Sequence, residues 1–584
     1  MSHNTAMKTT NSLCPRLQNC FQGVKRLGFI LVKSYTAAET SIVSQCSNRL
    51  AEEKDMKPFN SFVEWAKANA HPVSSASEDN AEELSFLKSA LADARVVSLG
   101  EFQHYTGVFN AFHFKLFRYL VENLGFTAFA FETPFADAAL AYRYVVGEDI
   151  PEDKVFCYGM SPMFGGWKET QDLLRWMREY NLSNKGEKPL HFYGVDIGSA
   201  AYGGNSAYPA VKAALDYLAA VDPGYSHGFA WLLETAETQD LFGFKALNPE
   251  SQKRFLWEAT RLYNRISYMG PHDAALTSAE AYQWALRSAY LAVFSARWFA
   301  GYAEAGCEDL SDNIRELCMA ENINWALERE GPGARLVYHS HNQHISRERR
   351  MGGYLQTGVF LDSLLPKGMV KAVAGMGRYS MRPGEEPIPD SIPYALAQVE
   401  APNYLLDLRQ CKDPDALQWL NSSHPDRTNA NYTASNIFQG YDLVFFTKEP
   451  LRLATMCYRP FGNKDFQAEP SFMKKCAGIY RLERTWLPTP VEDYITVEWK
   501  QGGLFTHGLY GPNGKIYSNS TTAEHFPVYE SRLLPLGGAR FYWENYFGFV
   551  EFQPDPNGEV NRLVFHYYYF GGDEISAARV FPAP

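Results

Sequence analysis

Paired cysteines, membrane-length apolar runs and basic stripes are all missing from this 584-residue chain. The nine cysteines (Cys14, Cys20, Cys46, Cys157, Cys307, Cys318, Cys411, Cys457 and Cys476) are scattered, odd in number and never spaced C-x-x-C. That suits free thiols in a reducing compartment and excludes a cysteine-rich zinc site or a disulfide framework. No apolar run reaches the roughly 18 residues of a membrane span, so a cytoplasmic protein is expected. The net charge of −11 argues against a nucleic-acid partner, because holding phosphates takes a basic surface. Residues 1–38 lack Asp and Glu but carry five Lys/Arg, and their best apolar run, LGFILV, is short for a signal-peptide core. Residues 1–57 are therefore read as an extension, disordered or targeting, or as sequence ahead of a true start at Met56.

What is present is a series of short apolar runs separated by helix-length stretches. ARVVSLGE (94–101), TAFAFET (127–133), LHFYGVD (190–196), ARLVYHSH (334–341), VKAVAGMG (370–377), NYLLDLR (403–409) and YDLVFFTK (441–448) read as buried strands. Near-continuous apolar strands alternating with helices predict a mainly parallel sheet flanked by helices, a three-layer α/β/α arrangement. Residues 106–125, 167–181 and 311–330 carry apolar residues at three- and four-residue spacing and are predicted helices; the first stops at a glycine. No strand is predicted between about 205 and 330, which reads as a helical insertion. After about residue 464 the pattern changes to apolar–polar alternation with Asn513-Gly514 and Asn557-Gly558 turns, an antiparallel β module over 464–584. The boundary is placed in FGNKDFQAEPS, leaving 58–463 as the main domain. The module holds few clustered titratable groups, so packing or substrate enclosure is its expected role.

The ends of four predicted strands carry acids and imidazoles: Glu101 followed by His104, then Glu132, Asp196, and finally His339, His341 and His344 in LVYHSHNQH. Ligands of open α/β sheets bind outside the carboxyl ends of the strands, and a buried carboxylate is costly unless paired. Glu101, His104, Glu132, His341 and His344 are therefore expected to share one polar cleft. Asp196 reads as a cap or turn residue, and His339 as a satisfied structural histidine deeper on the strand. GYSHG (224–228) matches the G-x-S-x-G nucleophile pattern, but it follows a helical stretch and Asp222-Pro223, with no strand before it. Ser226 is set aside because that motif works on a strand-to-helix turn.

The block GEFQHYTGVFNAFHFKLFRYLVENLGFTAFAFETPFADA resembles the opening of the erythromycin esterase-like family, with its G-E-x-x-H start and later A-x-E. GGWKETQDLLRWMREYN, FYGVDIGS, IRELCMAENINWAL and VYHSHNQHISR agree in order, so the likeness spans about residues 58–455. The resemblance implies an α/β hydrolase of the kind that opens macrolide lactones, an antibiotic-resistance activity; some members carry a succinoglycan-biosynthesis label. It also implies His104 as general base, Glu101 and Glu132 as supporting carboxylates, and His341 with His344 as a histidine pair. Arg315 matches an arginine directed into the same pocket. Two positions depart from the pattern. His113 stands where the family has an arginine, replacing a permanent charge with an often neutral ring at a substrate-binding position. Asp390-Ser391-Ile392-Pro393 stands where a G-S-x-E segment carries a glutamate.

The expected function is hydrolysis of a small-molecule ester or lactone by a histidine-activated water, with no cofactor. Two alternatives stay open: a divalent-metal hydrolase using the same Glu/His cluster, and a non-catalytic ligand-binding homologue.

Overall fold

A computed structural model describes residues 56–582 apart from 75–81, 105, 184–187, 199–205, 240, 305–307, 350–352, 380–385, 429–430, 450–465, 483–493, 508–530, 544–547 and 568–573. The chain divides into two compact units, Met1–Pro58 and Phe59–Pro584. The first, with the extension read over 1–57, lies almost wholly outside the described residues, as does the 461–465 part of the proposed domain boundary.

The seven predicted strands all form. In chain order the first ten strands are β1 (His71–Pro72), β2 (Val96–Glu101), β3 (Ala128–Pro134), β4 (His191–Asp196), β5 (Leu336–His341), β6 (Val370–Gly377), β7 (Asn403–Asp407), β8 (His424–Thr428), β9 (Asn431–Ser435) and β10 (Leu443–Thr447). Eight of them make one sheet in the order β1-β7-β10-β6-β2-β5-β3-β4, while β8 and β9 pair as a separate hairpin. From β10 to β4 every neighbour is parallel. β7 runs antiparallel to β10 and to β1 at the other edge. Successive strand residues face opposite sides, and each side has its own apolar core. Val96, Ala128, Ala130, Leu336 and Tyr338 enter one; Val97, Leu99, Phe129, Phe131 and Val337 enter the other.

Helix Gly107–Leu124 covers the second side with Phe109, Phe112, His113, Leu116, Phe117 and Leu120, the helical spacing visible in the sequence. It stops at Gly125, whose φ of +68° suits the left-handed cap that glycine adopts freely. Between β4 and β5 the described chain is helical from Tyr208 to Glu330 and builds a third core around helices Pro249–Tyr268 and Ala279–Ala303. The C-terminal module closes on itself as an eight-stranded antiparallel barrel, β11 (Gly478–Leu482) to β18 (Glu574–Pro582), with a fourth core inside. Of the predicted turns, Asn557-Gly558 joins two barrel strands with Gly558 at φ +77°, and Asn513-Gly514 lies outside the described residues. No helix among the described residues is long and apolar enough to cross a membrane. Cys318, Cys411 and Cys476 are free and buried.

The strand ends are pinned together by Asn342, whose side-chain amide donates to the Gly375 carbonyl at 2.9 Å and accepts from the Gly375 N–H at 3.1 Å. Gly375 leaves no room for a side chain: a Cβ there would collide with the carbonyl oxygen of Gly100 on β2. Gly375→Ala is therefore expected to cost roughly 1–3 kcal/mol, the scale of overpacking against an unyielding neighbour, read as a lower urea midpoint.

Candidate active site

Strand β2 ends at Glu101, whose side chain is fully buried. The chain then turns, with Thr106 Oγ1 donating to the Gln103 carbonyl at 3.1 Å, and enters helix Gly107–Leu124. This turn brings His104 Nδ1 to 2.7 Å from Glu101 Oε1. The His104 side chain is 21% exposed. Its ring lies 5.0 Å from that of His341 and 5.8 Å from that of Phe164. Burial pushes the Glu101 carboxyl up, opposed by its bond to His104. Burial by itself would depress His104, but the hydrogen bond to Glu101 and the charges of Glu132 and Glu101 outweigh it, and the ring rises above its ordinary value.

Glu132 sits where the β3–β4 register shifts between Phe131 and Pro134, an irregularity that can re-aim a side chain. Its Oε2 accepts from Ser340 Oγ at 2.6 Å and from the His341 N–H at 3.0 Å. Its Oε1 faces His344 Nε2 at 3.2 Å and Arg315 Nη2 at 3.5 Å. Burial would raise this carboxyl, but His344, His104 and Arg315 hold it well below the usual carboxylate range. Arg315 also grips Asp196 with two bonds, Nε to Oδ1 at 2.9 Å and Nη2 to Oδ2 at 2.6 Å, the planar fork that guanidinium offers a carboxylate. Asp196 was expected to be a turn residue and is that in part, accepting from the Ile197 N–H at 2.7 Å. Its larger role is to carry the arginine.

The two histidines of H-N-x-H differ in kind. His341 Nδ1 accepts from the Gln343 N–H at 3.2 Å, so the ring proton is on Nε2 and donates to the Phe102 carbonyl at 2.9 Å. Burial and the nearby His104 and His344 push this ring down to about 3; it is neutral and tied to backbone on both sides. His344 faces carboxylates on both sides, Glu132 at Nε2 and Glu316 Oε1 at 2.6 Å from Nδ1. Burial opposes its charge, yet Glu316 and Glu132 raise it to about 10. Among the described residues, no group of three or more His, Cys, Asp or Glu side chains is arranged to hold a metal ion.

One connected cluster thus contains Glu101, His104, Glu132, His341, His344 and Arg315. His113 is not in it. That ring is only 2% exposed, packed at 4.7 Å from His339 and among Phe109 and Phe112 on the core side of the helix. Burial holds it neutral, well below its ordinary value. The helical spacing that makes the helix amphipathic turns position 113 toward the sheet, out of a ligand's reach. His339 is buried as expected, but it is stacked on Phe131 at 4.3 Å and neither ring nitrogen has a hydrogen-bond partner among the described residues; it is not a satisfied histidine. Ser391 caps the short helix Ile392–Leu396, and Asp390 before it has a φ of +63°. Ser226 ends the short helix Pro223–Ser226 and donates to the Pro223 carbonyl at 2.8 Å, a helical context and no nucleophile turn.

Glu316 escaped the sequence reading. A signal for it existed: it shares a helical stripe with Met319, Ala320 and Ile323, all fully buried, and an acid on such a stripe must find partners.

Fold and site together define a class, a three-layer α/β protein with a cluster of acids and imidazoles at the carboxyl edge of a mainly parallel sheet. Residues 121–449, more than half of the chain, match the sequence profile of erythromycin esterase, and the chain belongs to that family of ester-bond hydrolases. It is 26% identical over 302 residues to erythromycin esterase type II of Escherichia coli, covering 49% of this chain and 69% of that protein. A Bacillus cereus protein of known structure superposes with a TM-score of 0.57 at 21% identity, over 68% of this chain and 99% of its own. A mutant of the erythromycin esterase EreC in its open conformation superposes with a TM-score of 0.51 at 15% identity, over 65% and 97%. Both structural likenesses cover the fold.

Proposed function

We propose that the chain hydrolyses a carboxylic ester or lactone with a water molecule activated by His104. The observation that carries this reading is the 2.7 Å contact between His104 Nδ1 and the buried Glu101. With its Nδ1–H donated to Glu101, the ring takes up a proton at Nε2. His104 Nε2 removes a proton from water as the oxygen attacks the carbonyl carbon. The resulting tetrahedral oxyanion collapses, the C–O bond breaks, and the alkoxide leaves with the proton that His104 carried. Glu101 fixes the tautomer and stabilises the imidazolium, as the acid does in a serine-protease triad. Arg315 supplies a donor and positive charge for the oxyanion, where one lost donor typically costs about 3 kcal/mol; His344, with both nitrogens held by Glu132 and Glu316, contributes charge alone. His341, with both nitrogens engaged, positions the turn at Phe102 and does not donate to substrate. A macrolide lactone is the first substrate to test, since the E. coli relative bears the name erythromycin esterase.

These steps use side chains alone. A panel of macrolides and simple acyl esters, assayed before and after exhaustive chelation, is expected to show turnover that chelator leaves intact. Activity lost with the metal and restored by one divalent cation would move the chemistry to a metal-bound water. No turnover on any ester, from a preparation carrying a bound chromophore, would favour a ligand-binding role and overturn the proposal.

A further inference from the structure

We infer that Glu316 is a positioning residue of this centre, clamping His344 against Glu132 so that the ring keeps both protons and its orientation. The inference rests on the hydrolytic reading for its catalytic consequence, but the clamp itself is testable without any substrate.

Glu316 is 1% exposed and lies on helix Glu308–Glu330, one residue after Arg315. Its Oε1 receives His344 Nδ1 and the Tyr354 hydroxyl, each at 2.6 Å; its Oε2 receives the Thr357 N–H at 2.8 Å and Thr357 Oγ1 at 2.6 Å. Four donors converging on one buried carboxylate favour the anion, and the carboxyl is held below its ordinary value despite burial. The same acid therefore fastens three elements: its own helix, the chain entering helix Thr357–Leu364, and the turn after β5 that carries His344.

Several charged or titratable groups surround the His344 ring. Glu132 from β3 and Glu316 from helix Glu308–Glu330 touch it; His104 from the turn after β2 and His341 from the end of β5 act on it through charge; Arg315 and Tyr354 share its two carboxylates. Two anions are in direct contact, against one guanidinium that is itself shared with Asp196. Without Glu316 the ring would keep one carboxylate and lose its shortest bond. With Glu316 in place the centre holds a fixed cation at His344 and a titrating base at His104, two imidazoles driven apart by their surroundings, the arrangement that assigns acid and base roles. His344 must stay protonated to help the oxyanion, so activity should fail on the alkaline side when it loses its proton.

The test uses the full chain. Nitrogen NMR of histidine-labelled wild-type protein at about pH 8, where an unperturbed imidazole of pKa near 6.5 is neutral, should show both His344 ring nitrogens protonated; a neutral ring there overturns the clamp. In Glu316→Gln, the His344 titration should move to lower pH by about one unit or more. The alkaline limb of kcat/KM should shift with it, kcat falling while KM changes little, and Glu316→Asp should restore most of the wild-type profile. A folded Glu316→Gln protein with an unmoved His344 titration overturns the inference. If the titration shifts while His104→Ala keeps its esterase rate, the clamp stands and the hydrolytic mechanism falls. Should Glu316→Gln fail to fold, the wild-type spectrum alone still decides.

Discussion

His104→Ala is expected to lower kcat/KM on an accepted ester by roughly 10²–10⁴-fold, the usual worth of a well-placed general base. The loss should fall on kcat, because His104 acts on the attacking water and not on the bound substrate. Glu101→Gln should act in the same direction but less severely. It keeps an oxygen near Nδ1 but removes the charge that stabilises the imidazolium. The sign of the pH dependence follows from the base being needed without its extra proton. Because Glu101 and Glu132 raise His104 above its ordinary value of 6.5, the rising limb of the wild-type profile should lie alkaline of that value. In Glu101→Gln it should move acidward. Initial rates across pH, with added imidazole as a rescue for the alanine variant, measure all of this. A His104→Ala enzyme that retains most of its rate would remove His104 from the mechanism.

Glu132→Ala should be the most damaging substitution for the fold. It strips the partner from His344 Nε2, Ser340 Oγ and the His341 N–H in one step and leaves Arg315 Nη2 with Asp196 alone, inside a cluster where water is largely excluded. Removing one member of a buried charge pair costs about 3–5 kcal/mol, and that is the loss expected from urea unfolding at neutral pH. Glu132→Gln, which fills the space, should cost less. The pH dependence has a definite sign as well. Glu132 is held well below its ordinary value in the folded protein, so its contribution is present above the unfolded carboxyl value of about 4.3 and disappears as pH falls through the folded one. The stability gap between wild type and Glu132→Gln should therefore close in acid. A gap below about 1 kcal/mol at neutral pH would mean the cluster is far wetter than its burial indicates.

Much of this centre was legible because strand ends are local features. The runs ending in Glu101, Glu132, Asp196 and His341 each announce a buried strand, and parallel alternation with helices places those ends along one edge. The sequence also announced the module that became a barrel, since alternation and Asn-Gly turns mark hairpins, though closure depends on long-range pairing of β11 with β18. What stayed hidden depends on direction and register. Asp196 looked like any turn acid, because its arginine lies 119 residues away on a helix. His113 looked like a pocket residue because its position, and not its facing, was read. His341 and His344 looked alike in H-N-x-H; only the backbone around one and the carboxylates around the other set them apart. Glu316 has no strand-end signal to mark it, and the pocket assignment of Arg315 beside it does not carry over, because adjacent helical residues point about 100° apart.

In the ladder between β2 and β5, Leu99 stands opposite His339 and Glu101 opposite His341. Inserting or deleting a single amino acid in either strand would swing every later side chain to the other face, exchanging the imidazole at the cleft for the serine behind it. These strands behave as a ruler whose graduations are functional: they can exchange residues but cannot change length. Added length is tolerated in the connections instead, and the helical excursion between β4 and β5 is a long connection of that kind.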